Sequence, residues 1–125
     1  MTHSIVWHVS PPAADADDLF AGHAQELRRG TVVLACLTLL RTPTYGYALL
    51  TALEGHGIHV DANTLYPLLR RLEAQGLLSC EWNTEESRPR KYYECTPLGR
   101  ELLDGLRHEW RQLSVSLRSL EEEDR

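Results

Sequence analysis

The sequence has few cysteines, and their arrangement argues against two common classes of small domain. Cys36, Cys80 and Cys95 are the three cysteines, an odd number, and no two of them show C-x-x-C spacing. A disulfide framework or a zinc ribbon needs paired or closely spaced cysteines. We therefore expect a reducing compartment, with these side chains in the core or on strands. The alternative is a redox pair of Cys80 and Cys95, although no basic cluster adjoins either residue in the sequence.

Long apolar runs and catalytic motifs are also missing. No stretch approaches the roughly 20 apolar residues of a membrane span, and residues 1–10 lack the cationic region of a secretory signal. Without a glycine-rich phosphate loop, a nucleophile motif or paired carboxylates, we expect neither an enzyme nor a bound cofactor. His56 and His59 form the only close histidine pair, with Asp61 as the single nearby carboxylate, so we expect no metal site. These absences favour a cytoplasmic, non-enzymatic protein.

Positive charge is scarce overall but concentrated in a few places. The formal net charge is −5, and acidic residues dominate residues 1–27 and 121–124. The basic residues cluster at Arg28, Arg29, Arg70, Arg71, Arg88, Arg90 and Lys91. A local cationic patch, rather than the total charge, decides whether a protein can bind phosphate groups.

The segment 61–76 has the pattern of a DNA-recognition helix. Its leucines recur at the spacing of one buried helical stripe, at Leu65, Leu68, Leu69 and Leu72. The polar residues that project elsewhere are Asn63, Thr64, Tyr66, Arg70 and Arg71. Such a donor-rich face fits the major groove of DNA. Because an interior proline would remove a backbone bond, we expect the helix to begin near Asn63 or Thr64, with Pro67 in its first turn.

A basic hairpin is predicted directly after this helix. Residues 77–83 alternate as a strand, with Leu78, Cys80 and Trp82 on one face, and residues 91–95 return as its partner. The polar turn at 84–90 ends in basic residues that can hold DNA phosphates, including Arg88 and Arg90. Helix and hairpin together predict a winged helix-turn-helix.

The remaining segments complete a mainly α fold. Residues 26–41 are apolar on more than one helical face, so this helix must be buried on two sides. Thr44 is expected to cap a helix that runs from Tyr45 to about Glu54. We predict an N-terminal arm at 1–25, a winged helix-turn-helix at 26–95, a last helix at 96–120 with Thr96 as its N-cap, and an acidic tail at 121–125.

The last helix carries a heptad seam. Its apolar residues step by three and four, at Leu103, Leu106, Trp110, Leu113, Leu117 and Leu120. Packing on the helix at 26–41 explains part of this stripe, and the surplus predicts a homodimer that reads an inverted-repeat operator in double-stranded DNA. Trp110 is either packed aromatic core or, with Leu106 and Trp7, the lining of a site for a planar aromatic effector.

The sequence resembles the PadR family of bacterial transcriptional regulators over about residues 27–120, in the subfamily with a single C-terminal helix. The resemblance rests on Leu27-Arg-Arg-Gly-Thr31, Tyr45-Gly-Tyr47, residues 64–73, residues 76–78 and Arg88-Pro-Arg-Lys-Tyr-Tyr93, with Thr96 and Gly99 just after.

This resemblance implies a dimeric repressor that a phenolic or drug-like molecule releases from DNA. It places Tyr66 and its neighbours against DNA, Arg90 and Lys91 in the wing, and Trp110 opposite its symmetry mate across a ligand pore. On the basis of this resemblance we also expect Thr44, Tyr45 and Pro67 to contact DNA. Ser87-Arg88-Pro89 stands where the family usually has glycines, and residues 1–25 lie outside the common pattern.

A winged-helix module that binds protein instead of DNA is the competing interpretation. A protein-docking wing is expected to expose apolar residues, whereas the predicted groove-facing surface here is rich in arginine. The sequence therefore favours a DNA-binding regulator.

Overall fold

The computed structural model describes residues 15–85 and 87–123. In chain order the elements are α1 (Ala16–Arg29), α2 (Thr31–Leu39), β1 (Thr44–Tyr45), α3 (Gly46–Gly55), α4 (Ala62–Ala74), β2 (Leu78–Asn83), β3 (Arg90–Cys95) and α5 (Pro97–Glu123). They form two compact units, Met1–Gly30 and Thr31–Arg125. The predicted class, mainly helical with a small β-hairpin wing, is confirmed.

The first unit contains α1, which has no buried residue. The Asp15 carboxylate caps this helix by accepting the Asp18 amide at 2.9 Å. The prediction of one helix over residues 26–41 is wrong, because α1 ends at Arg29 and α2 starts at Thr31. The residue between them, Gly30, costs about 1 kcal/mol relative to alanine inside a helix, which favours a break there. Helix α1 therefore crosses the boundary predicted between residues 25 and 26.

The core of the second unit is formed mostly by leucines from its four helices. Every residue of α2 is buried or half-buried, as its apolar composition predicted. The side chains without solvent exposure are Cys36, Leu37, Leu40, Leu49, Leu53, Leu65 and Leu69. Burial, together with the nearby Cys95, raises the pKa of Cys36 to about 12. Cys36, Cys80 and Cys95 are all free.

Helix α4 starts earlier than the sequence suggested. The Asp61 carboxylate accepts the Thr64 amide at 2.8 Å, so the helix begins at Ala62. The expectation that Pro67 lies in the first turn is therefore wrong, because it falls in the second, where it cannot donate to the Asn63 carbonyl. Three of the four predicted leucines are buried, while Leu68 is half-buried. Gly76, with φ of 77°, closes the connection to β2 in a conformation that favours glycine.

The sheet has three antiparallel strands in the order β1-β3-β2. Strand β1 was not predicted, because Thr44 was expected to cap a helix and Tyr45 to begin it. Instead both pair with β3, the Thr44 hydroxyl donates to the Thr42 carbonyl at 2.8 Å, and α3 starts at Gly46. A two-residue strand has no periodicity that a sequence pattern can reveal.

Helix α5 begins as predicted and runs slightly beyond the expected end at 120. The Thr96 hydroxyl accepts the Gly99 amide at 3.0 Å, which confirms Thr96 as the capping residue. Arg107 on this helix donates to the Thr38 hydroxyl on α2 at 3.3 Å. Among the helices of residues 15–85 and 87–123, none has the length and apolar character needed to cross a membrane.

Candidate nucleic-acid interface

The polar face of α4 points to solvent. Its leucines occupy the core, so the other side of the helix exposes the side chains that the sequence singled out. The exposed ones are Asn63, Thr64, Pro67, Arg70 and Arg71. This face offers amide, hydroxyl and guanidinium donors along one helix, which are the groups that read base edges in the major groove.

Tyr66 is held against the start of α3. A Cβ atom added at Gly46 would lie 2.7 Å from the Tyr66 ring, a distance that real Cβ atoms essentially never show. Gly46 therefore lets the two helices approach with the Tyr66 ring between them, and Tyr66 is half-buried. The sequence carries this signal only as the glycine of Tyr45-Gly-Tyr47.

Tyr45 joins the start of α3 to the wing, which consists of β2, β3 and the turn between them. The Asn83 side-chain amide donates to the Tyr45 hydroxyl at 2.9 Å. The Arg90 guanidinium lies 5.4 Å from the centre of the Tyr45 ring, and the Tyr92 ring meets it edge to face at 5.7 Å. The structure thus brings the predicted site residues Tyr45 and Arg90 into contact, and it fixes Arg90 beside the beginning of α3.

Lys91 belongs to a different cluster, which joins the wing to the end of α4. Its ammonium lies 3.5 Å from the Glu73 carboxylate and 5.3 Å from the centre of the Tyr93 ring. The Cys80 thiol donates to the same carboxylate. The hydrogen bond from Cys80 and the charge of Lys91 lower the pKa of Glu73. Lys91 therefore contributes less positive charge to the surface than the sequence suggested.

The two wing cysteines are not cross-strand partners. Cys80 pairs in register with Tyr93, and Cys95 pairs with Leu78. Burial, followed by the hydrogen bond and charge of Glu73, raises the pKa of the Cys80 thiol. Cys95 is buried, and its thiol donates to a backbone carbonyl of α2 at 3.2 Å. The geometry gives no support to the alternative of a redox pair.

A cavity of about 590 Å³ opens between the start of α3, Tyr66 and the wing. Six of its lining residues were not predicted as site residues, namely Gly46, Tyr47, Ala48, Trp82, Pro89 and Tyr93. Trp82 shares a strand face with Leu78 and Cys80, as predicted. Along this face Leu78 is buried, Cys80 is half-buried and Trp82 is 61% exposed. The strand pattern fixes which way Trp82 faces but not where the core ends.

The heptad seam of α5 divides into two parts. Leu103 is 1% exposed and Leu106 half-buried, because both pack on the core of their own unit. The following seam residues are exposed, with Trp110 at 53%. They are Trp110, Leu113, Leu117 and Leu120. Trp7, the third residue of the predicted effector site, lies outside the described residues.

Asp61 and the nearby histidines do not make a metal centre. The Asp61 carboxylate already caps the N-terminus of α4, and His56 and His59 are exposed. In the part of the chain that the structure describes, no group of three or more histidine, cysteine, aspartate or glutamate side chains could hold a metal ion.

Comparisons with known proteins agree with this architecture. The PadR-like transcriptional regulator family matches residues 33–105. A crystal structure of a PadR family transcriptional regulator from Eggerthella lenta is 49% identical, with a TM-score of 0.80, and the match covers 83% of this chain and 93% of that one. A PadR-like regulator from Bacillus cereus is 28% identical, with a TM-score of 0.69 and coverage of 76% and 95%.

A transcriptional regulator of Mycobacterium tuberculosis is 46% identical over 59 residues, which span 47% of this chain and 55% of that protein. The proteins of this family are regulators and not enzymes, as the sequence predicted for this chain. With more than half of the chain matched, and with a close structural relative covered almost completely, the chain belongs to the PadR-like family of transcriptional regulators.

Proposed function

We propose that this regulator binds an inverted-repeat operator as a homodimer and represses transcription until a planar aromatic or phenolic effector releases it. The observation that carries the proposal is the exposed, donor-rich face of α4, held beside a wing with basic residues. Regulators of this family bind DNA and are typically dimeric. A genomic target also favours a cytoplasmic location.

The proposed DNA surface combines base contacts with phosphate contacts. Asn63 and Arg70 supply the bidentate groups that discriminate adenine and guanine in the major groove. Arg88 and Arg90, both exposed on the wing, are suited to the flanking phosphates. The contact of Arg90 with Tyr45 holds the guanidinium near the start of α3, where Tyr45 provides no side-chain cap and helix amides also attract phosphate.

The exposed part of the α5 seam supports the homodimer. The 27 residues of this helix extend about 40 Å at about 1.5 Å per residue, which is longer than its own unit needs. Contiguous apolar stripes of this kind are rare on stable monomers, so a second copy of α5 is the occupant that the heptad spacing favours. Two recognition helices related by a two-fold axis would then read half-sites about 34–36 Å apart.

Trp110 is the proposed contact for the effector. It lies at the centre of the seam, beside Leu106, and its indole is largely exposed before association. An aromatic ligand between the two copies would change the separation of the recognition helices and so weaken operator binding. Trp7 is the proposed third contact.

A protein-interaction module without specific DNA binding is the second candidate. Trp82 on the wing and Tyr47 at the start of α3 are exposed aromatic side chains, and a protein partner uses this kind of surface. The two candidates differ in what the arginines do, so an experiment on the arginines separates them.

The test is a titration of the protein with the DNA upstream of its own gene at two salt concentrations. Replacement of Arg88 and Arg90 by glutamine should weaken binding and lower the salt slope by about 1.8, because each phosphate contact contributes about 0.9. Arg111→Gln is the matched control, an exposed arginine on α5 outside the seam. Equal affinity for upstream DNA and for random DNA of the same length would contradict specific DNA binding and would favour the protein-interaction module.

A further inference from the structure

The last turn of α4 carries a carboxylate that the wing contacts from both of its strands. The Lys91 ammonium, on β3, lies 3.5 Å from the Glu73 carboxylate, and the Cys80 thiol, on β2, donates to the same carboxylate. We call Glu73, Cys80 and Lys91 the wing joint. Because one side chain of α4 meets both strands of the hairpin, the wing joint connects this helix to the whole wing and not to a single strand.

The position of Glu73 within α4 points to a role in this connection. A carboxylate in the last turn of a helix lies near the negative end of the helix dipole, where a cation is normally favoured. The isolated helix would therefore be better served by a neutral or basic residue at this position. The cation that offsets the carboxylate comes from the wing, in the form of Lys91. Glu73 thus favours the contact with the wing and not the helix by itself.

The wing joint lies opposite another attachment of the wing. Strand β3 pairs with β1 at the start of α3, and the Asn83 amide donates to the Tyr45 hydroxyl at 2.9 Å. The sheet order β1-β3-β2 leaves β2 on the far edge, away from β1. Cys80 belongs to that far strand, so the wing joint secures the far edge to α4. A sheet held along one edge can twist about it, whereas a sheet held at both edges has a defined direction.

We propose that Glu73 is a positioning residue for DNA binding, which holds the wing at the angle where its exposed Arg88 reaches a DNA phosphate while α4 lies in the major groove. Lys91 acts within this joint and not as a phosphate contact. The effect on DNA affinity rests on the proposed DNA-binding function, whereas the effect on the direction of the wing does not.

The proposal predicts a change in DNA affinity that is opposite in sign to simple electrostatics. Removing a negative charge near a polyanion normally strengthens binding, because less repulsion opposes the phosphates. Glu73→Gln should instead weaken binding to the upstream DNA by about twofold to fivefold, since a partly exposed ion pair contributes up to about 1 kcal/mol. Equal or tighter binding by Glu73→Gln would overturn the proposal.

The matched control is Glu85→Gln, which removes an exposed carboxylate from the turn of the wing. This variant should bind the upstream DNA as tightly as the wild type or more tightly. All affinities are measured well below Tm, where a small loss of stability leaves nearly all of the protein folded. A general destabilisation therefore cannot imitate the weaker binding expected of Glu73→Gln. Equal losses in both variants would overturn the specific role of Glu73.

Two combined variants test whether Glu73 acts through the wing. The exchange of Glu73→Lys with Lys91→Glu keeps the net charge and the ion pair, so it should recover most of the affinity that each single change loses. In protein that already carries Arg88→Gln and Arg90→Gln, Glu73→Gln should have little further effect, because the positioned groups are gone. No recovery in the exchanged pair, or a full additional loss in the arginine variant, would overturn the proposal.

Residual dipolar couplings of the backbone amides, measured without DNA, test the wing joint itself. In Glu73→Gln the couplings of β2 should shrink relative to those of α2, because a freed edge of the sheet samples more directions. The Glu73 side chain is 31% exposed, so the variant should fold, and its thermal unfolding provides the check. Lys91→Gln is the second variant, with the same expected change.

Unchanged couplings of β2 in both Glu73→Gln and Lys91→Gln would overturn the assignment of the wing joint. If the protein binds no DNA specifically, the proposed function fails, while the couplings still decide whether Glu73 holds the wing. Reduced couplings without weaker DNA binding would show that the direction of the wing does not matter for the operator, which would refute the positioning role.

Discussion

Removing the Thr96 hydroxyl should destabilise the fold more than a surface change of the same size. This hydroxyl donates to the Gly76 carbonyl at 2.6 Å and accepts the Gly99 amide at 3.0 Å. The first bond holds Gly76, which lies in the connection between α4 and β2, and the second bond caps α5. One side chain therefore ties the connection after α4 to α5, the helix that carries the seam.

The expected cost follows from these two bonds. A typical net hydrogen bond contributes about 1 kcal/mol, and loss of an N-cap costs about 1 kcal/mol, so Thr96→Ala should lower the free energy of unfolding by about 2 kcal/mol. The entropy of unfolding is about 2.1 cal/mol/K per residue, or about 0.26 kcal/mol/K for this chain length. The predicted decrease in Tm is therefore about 8 °C.

Thermal unfolding followed by circular dichroism measures this decrease. Protein concentration must be equal for all variants, because self-association would add to the apparent stability. Thr96→Ser is the control, since serine keeps the hydroxyl and is an equally good N-cap, and its Tm should stay close to wild type. A decrease below about 2 °C in Thr96→Ala, or an equal decrease in Thr96→Ser, would refute the role assigned to the hydroxyl.

Three further predictions concern the second unit. Gly99→Ala would place a methyl carbon 2.2 Å from a backbone carbonyl oxygen and should lower the free energy of unfolding by about 2 kcal/mol or more. In Gly105→Ala the methyl group meets nothing within 4 Å, so this change should stabilise α5 by up to about 1 kcal/mol. Urea unfolding of the two variants measures both changes. Cys36, buried with a pKa of about 12, should react with a thiol reagent only on unfolding, while the half-buried Cys80 reacts first; equal native rates would contradict this. The pKa of Glu73 is lower in the folded protein than its usual value of 4.5. The ionised carboxylate therefore stabilises the fold at pH values above 4.5. Glu73→Gln should be less stable than wild type at pH 7, and the gap should close as the pH falls below 4.5; a gap independent of pH would contradict the assignment.

Sequence patterns predicted the elements whose signal is local. The leucine spacing of α4 and the Thr96 cap of α5 were both found from neighbours within a few residues. The predicted start of α4 is one or two residues late, because it was set by the position of Pro67. In the structure the Asp61 carboxylate caps the helix and sets its start at Ala62. The break at Gly30 was missed, since the apolar pattern continues through it.

Long-range pairing explains what the sequence did not reveal about the candidate site. The contact of Arg90 with Tyr45 and the pairing of Lys91 with Glu73 join residues on different elements. The first contact depends on β1 pairing with β3, and a two-residue strand has no readable pattern. The second depends on the β2–β3 hairpin lying beside the end of α4. The basic residues of the wing were therefore predicted as equivalent, although the structure offsets the charge of Lys91 with an acidic partner.

The junction between α5 and the connection after α4 has a consequence for the proposed release of DNA. The Thr96 amide donates to the Leu77 carbonyl at 3.1 Å, and Gly99 packs so closely on that carbonyl that no Cβ atom fits. Leu77 stands between the end of α4 and the start of β2. Because backbone packs directly on backbone here, we expect a shift of α5 to move the end of α4 and the start of the wing with it. An effector at the seam would therefore act on the spacing of the two proposed DNA-binding surfaces.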